Sequence, residues 1–169
     1  MTEHEASSSS SASTARSSLR RSYPEPVARA YRLTPARRLG NTLMTGALRA
    51  GIAPRRIYLL TVPGRKSGRR YSTPVQLVED GADRFLVAPY GERPWVRNAR
   101  AAGSVELSRR RKTERLAIRE LDPVEAAPVL KRYVQEVGAV VRPFFDAGPN
   151  DPVEAFAAEA LQHPVFQVE

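Results

Sequence analysis

STPVQLVEDGADRFLVAPY, residues 72–90, is the part of the sequence from which the fold class follows most directly. Val75 and Leu77 alternate with the polar Gln76, and hydrophobic residues alternate again from Phe85 onward. Period-two alternation on both sides of the turn EDGAD predicts a β-hairpin. Because a short turn joins strands that run in opposite directions, we expect the sheet that contains this hairpin to be antiparallel.

The neighbouring segments extend this sheet. RRIYLLTV at 55–62 is a short apolar run rich in β-formers, which predicts a buried strand. SVELSRRRKTERLAIREL at 104–121 predicts a second hairpin, with the cationic RRRK of 109–112 at a solvated tip. Four side chains of this hairpin are expected to face inward: Val105, Leu107, Leu116 and Ile118.

Four helices are predicted around the strands. Thr-Pro at the start and glycine at the end indicate a helix in TPARRLGNTLMTGALRAG at 34–51. Glycine also ends the predicted helices RPWVRNARAAG at 93–103 and DPVEAAPVLKRYVQEVG at 122–138. DPVEAFAAEALQHP at 151–164 is the last predicted helix.

The last helix carries an apparent start signal. Asp151, Pro152 and Glu154 resemble a capping box. The element order is then a helix, five or more antiparallel strands with one helix among them, and further helices. This order predicts an α+β fold, in which closure of the small sheet into a barrel would remove its exposed edges.

Composition limits the chemistry that the chain can perform alone. The 169 residues include no cysteine and two histidines, and the net charge is +9. The lack of cysteine excludes disulfides, thiolate metal ligation and a cysteine nucleophile. With so few histidines, we predict no metal site and no Ser-His-Asp triad. An enzyme built from these residues would take its reactive chemistry from a bound cofactor.

Composition also predicts domain organisation and location. Residues 1–22 are Ser-rich and nearly free of apolar side chains, so we expect a disordered tail there. Residues 23–169 are expected to form a single domain. No apolar run reaches about 18 residues and no apolar region follows the N-terminus, which predicts a cytoplasmic protein without an integral membrane segment.

The turn TVPGRKSGRR at 61–70 suggests a function, because residues 55–72 carry six cations and no acid. Its spacing differs from a P-loop, which also requires a helix after the motif. Two interpretations remain open. The glycines suit an ordinary β-turn whose cations point into water. They also suit an anion clamp, formed by exposed backbone amides and three side chains: Arg65, Lys66 and Ser67.

A second segment, VAPYGERPWVRNARAAG at 87–103, favours ligand binding. A strand that ends in Ala-Pro-Tyr-Gly is expected to leave backbone amides free beyond its last pair. Pro94 can begin a helix whose N-terminus carries positive partial charge, and Trp95 adds a flat surface. A planar, anionic ligand would suit this corner, with its ring against the strand and its tail along the basic turn.

LLTVPGRKSGRRYSTPV, followed by FLVAPYGERPWVRNARAAGSVEL, resembles the deazaflavin-dependent nitroreductase family of coenzyme F-420-dependent oxidoreductases. The resemblance covers about residues 33–121 and extends more weakly to about residue 145. It implies an α+β split β-barrel of antiparallel strands, FMN-binding-like, with flanking helices and a groove that holds the deazaflavin.

The resemblance also implies a role for each motif residue. The phosphate and acidic tail of the coenzyme would be held by Arg65, Lys66 and Ser67. The residues beside the ring system would be Tyr71, Ser72, Thr73, Pro74, Val75 and Gln76. The backbone that covers the ring would come from Val87, Ala88, Pro89 and Tyr90. The start of the following helix would complete the pocket with Pro94, Trp95, Arg97 and Asn98.

The implied activity is hydride transfer from the reduced deazaflavin to a small-molecule electrophilic substrate. A quinone, an activated enone or a nitro compound would fit this description. Tyr90 is the candidate catalytic residue, as a proton donor, with solvent as the alternative source of the proton. Phe144 and Phe145 are candidates for the place that tyrosines take in the substrate pocket of some family members.

Other ligands fit parts of the sequence. Related split barrels bind FMN or haem, and a basic clamp suits FMN, although six cations exceed what one phosphate needs and so favour F-420. SRRRKTER at 108–115 would suit a nucleic-acid-binding module. Few aromatics interleave with the cations and no nucleic-acid signature is present, so we predict no nucleic-acid partner. Because split barrels often pair, a homodimer is expected.

Overall fold

The computed structural model describes residues 56–169 and, before them, the single helical residue Gly46. The strands are β1 (Ile57–Pro63), β2 (Arg70–Asp80), β3 (Asp83–Val87), β4 (Ser104–Arg109), β5 (Lys112–Glu120) and β6 (Val165–Val168). The α-helices of this part of the chain are α1 (Pro94–Ala102), α2 (Pro123–Val137) and α3 (Val153–Glu159). Short 3-10 helices cover Gly138–Val140, Arg142–Phe144 and Ala160–Gln162. The predicted tail at 1–22 and, Gly46 apart, the predicted helix at 34–51 lie outside the described residues.

The six strands close into one antiparallel barrel. Their order around the barrel is β1-β2-β3-β6-β5-β4. The two predicted hairpins are β2–β3 and β4–β5, and the predicted buried strand is β1. The helices α2 and α3 follow β5 in the chain and pack against each other. The α+β split β-barrel with flanking helices that the sequence predicts is therefore confirmed.

The strand that closes the barrel, β6, is absent from the sequence prediction. It pairs with β3 on one side and β5 on the other, with Phe166 opposite Leu86 and Val168 opposite Ile118. β6 has four residues, of which Val165, Phe166 and Val168 are buried. A strand covered on both faces lacks the alternation that marks a half-exposed strand, so its pattern carries little signal.

Two apolar clusters stabilise the barrel and its helices. The first fills the barrel with side chains from all six strands and from α1, among them Leu77 and Phe166. The second lies between the outside of β2, β3 and β6 and the helices α2 and α3, and it includes Val78. Leu77 and Val78 serve different clusters because successive side chains of a strand point to opposite faces. In the second hairpin, Val105, Leu107 and Leu116 are buried as predicted, and Ile118 packs partly buried against them.

The sequence DPVE occurs twice, at 122–125 and 151–154, and only the first copy forms a capping box. The Asp122 carboxylate accepts the N–H groups of Val124 and Glu125, while the Glu125 carboxylate accepts the Asp122 N–H. The predicted box at Asp151 is wrong. There α3 begins one residue later, after Pro152, and the Asp151 carboxylate instead accepts the N–H of Gly148 at 2.7 Å.

A buried carboxylate at the end of α3 holds the segment that connects α2 to α3. Glu159 accepts the backbone N–H groups of Asp146 at 2.8 Å and Ala147 at 2.7 Å. The Nε2 atom of His163 lies 3.7 Å from the same carboxylate. Burial alone would raise the pKa of Glu159, but the nearby His163 imidazole and the hydrogen bonds from the two amides together outweigh burial and lower it. The carboxylate therefore stays ionised at neutral pH.

Replacing Glu159 with glutamine is expected to lower the free energy of unfolding by about 1–3 kcal/mol, because a buried backbone N–H then faces a group that cannot accept it. Urea unfolding of the full chain, followed by circular dichroism, measures the change. Glu154→Gln, in the exposed first turn of α3, is the matched control and should change stability by less than about 1 kcal/mol.

The pH dependence gives a second check on the same variant. Since the pKa of Glu159 is lowered in the folded state from its ordinary value of 4.5, its stabilising contribution is complete above that value. The contribution is lost as the pH falls through the folded-state pKa. The stability difference between wild type and Glu159→Gln should therefore shrink in acid. A difference that is the same at about pH 7 and about pH 3 would contradict this assignment.

Candidate functional site

A groove of about 930 Å³ runs along β2. Its walls come from five places in the chain: the start of β1, the β1–β2 turn, the first half of β2, the segment from the end of β3 into α1, and α2. β2 lies between β1 and β3 in the barrel, and α2 packs on the outside of β2 and β3. The barrel order therefore brings segments that are far apart in sequence to one groove.

Every residue of the predicted site lines this groove except Ala88 and Arg97. The predicted residues that the groove brings together are Arg65, Lys66, Ser67, Tyr71, Ser72, Thr73, Pro74, Val75, Gln76, Val87, Pro89, Tyr90, Pro94, Trp95 and Asn98. Arg97 is exposed on α1. Ala88 is buried inside the barrel, and its N–H donates to the Pro164 carbonyl oxygen at 2.9 Å. The expectation of free amides at this strand end is wrong for Ala88, because backbone pairing continues there next to β6.

The basic turn between β1 and β2 uses its backbone amides internally. Gly64 donates to the Arg69 carbonyl oxygen at 2.8 Å, and Gly68 donates to the Gly64 carbonyl oxygen at 2.8 Å. The Ser67 N–H also donates to Gly64, and Gly68 has a positive φ of 67° that suits glycine. The predicted clamp of exposed amides is therefore wrong for these residues. The turn offers an anion the exposed side chains of Arg65 and Lys66 instead.

Gly64 allows an aromatic ring to stand beside the basic turn. A Cβ atom at Gly64 would lie 2.7 Å from Cε2 of Tyr71, closer than non-bonded carbon atoms can approach. The Tyr71 ring is 49% exposed and lines the groove. The missing side chain at Gly64 thus lets the ring pack flush against the turn, with its other side open to a ligand.

Asn98 joins the basic turn to α1. Its side chain is 5% exposed. Its Oδ1 atom accepts two hydrogen bonds from Arg65, from the backbone N–H at 3.3 Å and from Nη1 at 3.1 Å. The helix therefore sets the position of Arg65 at the edge of the groove.

The opposite part of the groove lining is apolar and aromatic. It includes Val87, Pro89, Tyr90 and Tyr133. Burial, and secondly the nearby Tyr90, raise the pKa of Tyr133 far above its ordinary range. The hydroxyl group of Tyr133 therefore keeps its proton at any physiological pH and can donate a hydrogen bond to a ligand.

The two candidate phenylalanines have different surroundings. The ring of Phe144 stands edge-on to Tyr90, with centroids 4.7 Å apart and planes at 80°. Phe145 is buried and stacks on His163 at 4.0 Å. Phe144 thus supports the groove wall from behind Tyr90, whereas Phe145 belongs to the core. Trp95 belongs to both the groove lining and the barrel core, since it lines the groove and its ring centroid lies 5.9 Å from that of Phe166.

Four lining residues were not among the predicted site residues: Ile57, Gly64, Arg93 and Tyr133. Arg93 occupies the cap position before α1, and its place directly before Pro94 could have suggested a position at the helix start. Tyr133 comes from α2, whose stripe of buried residues is visible in the sequence. The sequence gives no sign that this helix reaches β2, because that contact depends on the closed barrel.

The other cationic cluster lies away from the groove. Arg109 and Lys112 are the last pair of the β4–β5 ladder, with Arg110 and Arg111 exposed at the turn. Lys112 forms an ion pair with Glu114 at 2.6 Å, and Arg109 lies over the Tyr58 ring at 5.7 Å. None of the four lines the groove. They supply variants that change charge at a distance from the site.

Comparison with known proteins identifies a family whose model matches this chain. A family model described as F420H2-dependent quinone reductase matches residues 28–142. No curated protein gives a significant match. A solved structure described as an F420-H2-dependent reductase is 27% identical, covering 68% of this chain and 95% of its own, with a TM-score of 0.48. A structure described as a domain-swapped dimer is 22% identical, covering 80% of this chain and 100% of its own, with a TM-score of 0.50.

Replacing Gly64 with alanine is expected to lower the free energy of unfolding by about 1–3 kcal/mol, because the new methyl group overlaps the Tyr71 ring. Urea unfolding measures this change. Gly68→Ala is the matched control: a Cβ there meets nothing within 4 Å and only the positive φ is strained, so its cost should be the same with and without the Tyr71 ring. In a Tyr71→Ala background the cost of Gly64→Ala should fall. An equal cost in both backgrounds would contradict the packing argument.

Proposed function

The chain belongs to the F420H2-dependent quinone reductase family, and from this premise we propose that its groove binds coenzyme F-420 and presents it to a quinone-type electrophile. By family membership the protein is a coenzyme F-420-dependent oxidoreductase. One observation carries the assignment of the site: a single groove has cations in one part of its lining and tyrosines in another. A long anionic cofactor with a planar ring needs both.

The cationic part of the groove suits the phosphate and the acidic tail of the coenzyme. Arg65 offers a planar fork of N–H donors, Lys66 a compact charge, and Ser67 a hydroxyl group. The groove, at about 930 Å³, lies near the upper end of the range of about 300–1,000 Å³ for small-molecule sites, so it has room for an extended ligand. Tyr71 and the following residues of β2 would lie along the ring system.

The residues of the chain bind and orient rather than react. When bound, the reduced coenzyme supplies a hydride, a reagent that no side chain here provides. Reduction of a quinone to a hydroquinone consumes one hydride and one proton in total. The protein therefore has two tasks at the aromatic end of the groove: holding the quinone in reach and delivering a proton to its oxygen.

We assign the proton delivery to Tyr90. Its side chain lines the groove, it is only partly buried, and Phe144 fixes its ring edge-on. Tyr133 is 5% exposed and its pKa is raised, so it suits a hydrogen bond that orients the substrate. Tyr133 lies on α2 and also carries a hydroxyl group. The assignment to Tyr90 can therefore be tested by comparing Tyr90→Phe with Tyr133→Phe.

The remaining expectations are part of the same proposal. We propose that enones and nitro compounds are also substrates, that residues 23–169 form a single domain, and that the protein is a cytoplasmic homodimer. The domain-swapped dimer among structures of similar fold supports pairing. Among the helices of the described residues, none is long and apolar enough to span a membrane.

Removing the two cations in Arg65→Ala/Lys66→Ala is expected to weaken F-420 binding by about 10- to 100-fold, because each charge-assisted hydrogen bond contributes about 1.5–3 kcal/mol and part is replaced by solvent. Fluorescence quenching of the purified protein, titrated with F-420 and with FMN in low and moderate salt, measures the affinities. The variant should also show a weaker salt dependence.

Arg110→Ala/Arg111→Ala is the matched control, because it removes the same charge from the distant hairpin tip and should leave F-420 affinity within about twofold. Wild-type protein that binds neither ligand would contradict the proposed site. Wild-type protein that binds FMN more tightly than F-420 would contradict the cofactor.

Tyr90→Phe is expected to lower kcat for quinone reduction by about 100-fold with little change in F-420 affinity, since it removes only the proton donor. Tyr133→Phe should raise KM more than it lowers kcat. Steady-state kinetics with a soluble quinone at several pH values separates the two. If Tyr133→Phe shows the larger loss of kcat, the roles of the two tyrosines are reversed.

A further inference from the structure

We propose that Asn98 is a positioning residue, which holds Arg65 of the basic turn in its binding position before any ligand is present. The inference rests on the proposed function for the identity of the ligand. The contact itself belongs to the protein alone. The sequence suggested two roles for Asn98, a hydrogen bond to nearby backbone or a place in the pocket, and it did not identify Arg65 as the partner.

The geometry leaves one orientation for the Asn98 carboxamide. Both of its partners on Arg65, the backbone N–H and Nη1, are donors, so the atom that faces them must be the oxygen. Asn98 is nearly fully buried on α1, which prevents its side chain from changing rotamer easily. The acceptor is therefore fixed to a rigid element, 33 residues away in sequence from the turn that it holds.

This contact matters because the other bonds of the turn are local. The hydrogen bonds of Gly64, Ser67, Gly68 and Arg69 described above all stay within residues 64–69. They give the turn its shape but do not orient it relative to the groove. The bond from Arg65 to Asn98 ties the turn to α1. An arginine side chain that is already ordered loses less conformational entropy when it binds an anion.

The choice of asparagine also has a physical reason. An aspartate at position 98 would accept the same two hydrogen bonds from Arg65, and more strongly. Its negative charge would, however, neutralise the guanidinium group and repel an anionic ligand. A neutral carboxamide holds the arginine without cancelling its charge. Order in the turn and affinity for an anion should therefore respond differently to Asn98→Ala and Asn98→Asp.

The test uses the full chain and two measurements. Hydrogen–deuterium exchange of residues 64–69 in the ligand-free protein reports the order of the turn. Fluorescence titration with coenzyme F-420 at two salt concentrations reports affinity. Arg69→Ala is the matched control, because it removes a cation from the same turn without touching Asn98. Circular dichroism melts confirm that each variant is folded.

For Asn98→Ala we expect exchange of the turn to accelerate by about 3- to 10-fold, in line with the loss of a hydrogen bond, and F-420 affinity to fall by about tenfold. For Asn98→Asp we expect exchange no faster than wild type, an equal or larger loss of affinity, and a weaker salt dependence. Arg69→Ala should lose less affinity than either and leave exchange at Arg65 unchanged.

Two results would overturn the inference. One is exchange in folded Asn98→Ala that matches wild type, since Asn98 would then not hold the turn. The other, which is available even if Asn98→Ala does not fold, is exchange of the turn in Asn98→Asp that is faster than in wild type, since a stronger acceptor at the same place should hold the turn at least as well. Wild-type F-420 affinity in Asn98→Asp would refute the argument for a neutral carboxamide. Failure of wild-type protein to bind F-420 would instead refute the proposed function, and the exchange measurement in the ligand-free protein would still decide the role of Asn98.

Discussion

The pairing of β6 with both β3 and β5 is the constraint on which the rest of the structure depends. It joins the first hairpin to the second and turns a sheet with two edges into a closed barrel. Because β5 and β6 are neighbours in the barrel, the chain between them must leave the sheet and return. That excursion contains α2 and α3, and it places Tyr133 and the segment with Phe144 next to β2 and the end of β3. The aromatic part of the groove is thus a consequence of how the barrel closes.

The cationic part of the groove is built differently, from a short turn with its own hydrogen bonds and one contact to α1. The β1–β2 turn uses the amides of Gly64, Ser67 and Gly68 in its own hydrogen bonds, so these three amides are not available to a ligand. Charge reaches the groove through long side chains, and a long side chain that is already ordered loses less conformational entropy when it binds an anion. Gly64 lets Tyr71 approach on one side, and Asn98 accepts Arg65 on the other. The groove therefore combines an aromatic end that barrel closure brings together with a basic turn that is hydrogen-bonded to a helix.

Local sequence patterns predict many of the elements of this molecule. The features they miss depend on how distant segments pair in the barrel. Alternation with turn residues identifies both hairpins, and glycine identifies the end of α1 at Gly103, where φ is 62°. The repeated DPVE shows the limit of such patterns, because the same four residues cap α2 and fail to cap α3. What differs is the partner of the aspartate, since Asp122 accepts amides of the first turn of α2 whereas Asp151 accepts the N–H of Gly148. β6 and Tyr133 were missed for a related reason, since their places depend on strand pairing between distant segments. The predicted site residues share one groove because they lie on neighbouring strands and turns.

The order of the strands along the chain has a consequence for biosynthesis. β6, at residues 165–168, is the last of the six strands to be translated, yet it lies between β3 and β5, which are translated earlier. Until it leaves the ribosome, β3 and β5 are open edges beside an apolar interior, a state that invites pairing with other chains. Segments that contribute to the groove are made long before the strand that closes the barrel. A nascent chain therefore carries most of its groove-lining residues before it has the enclosed core that fixes them in place.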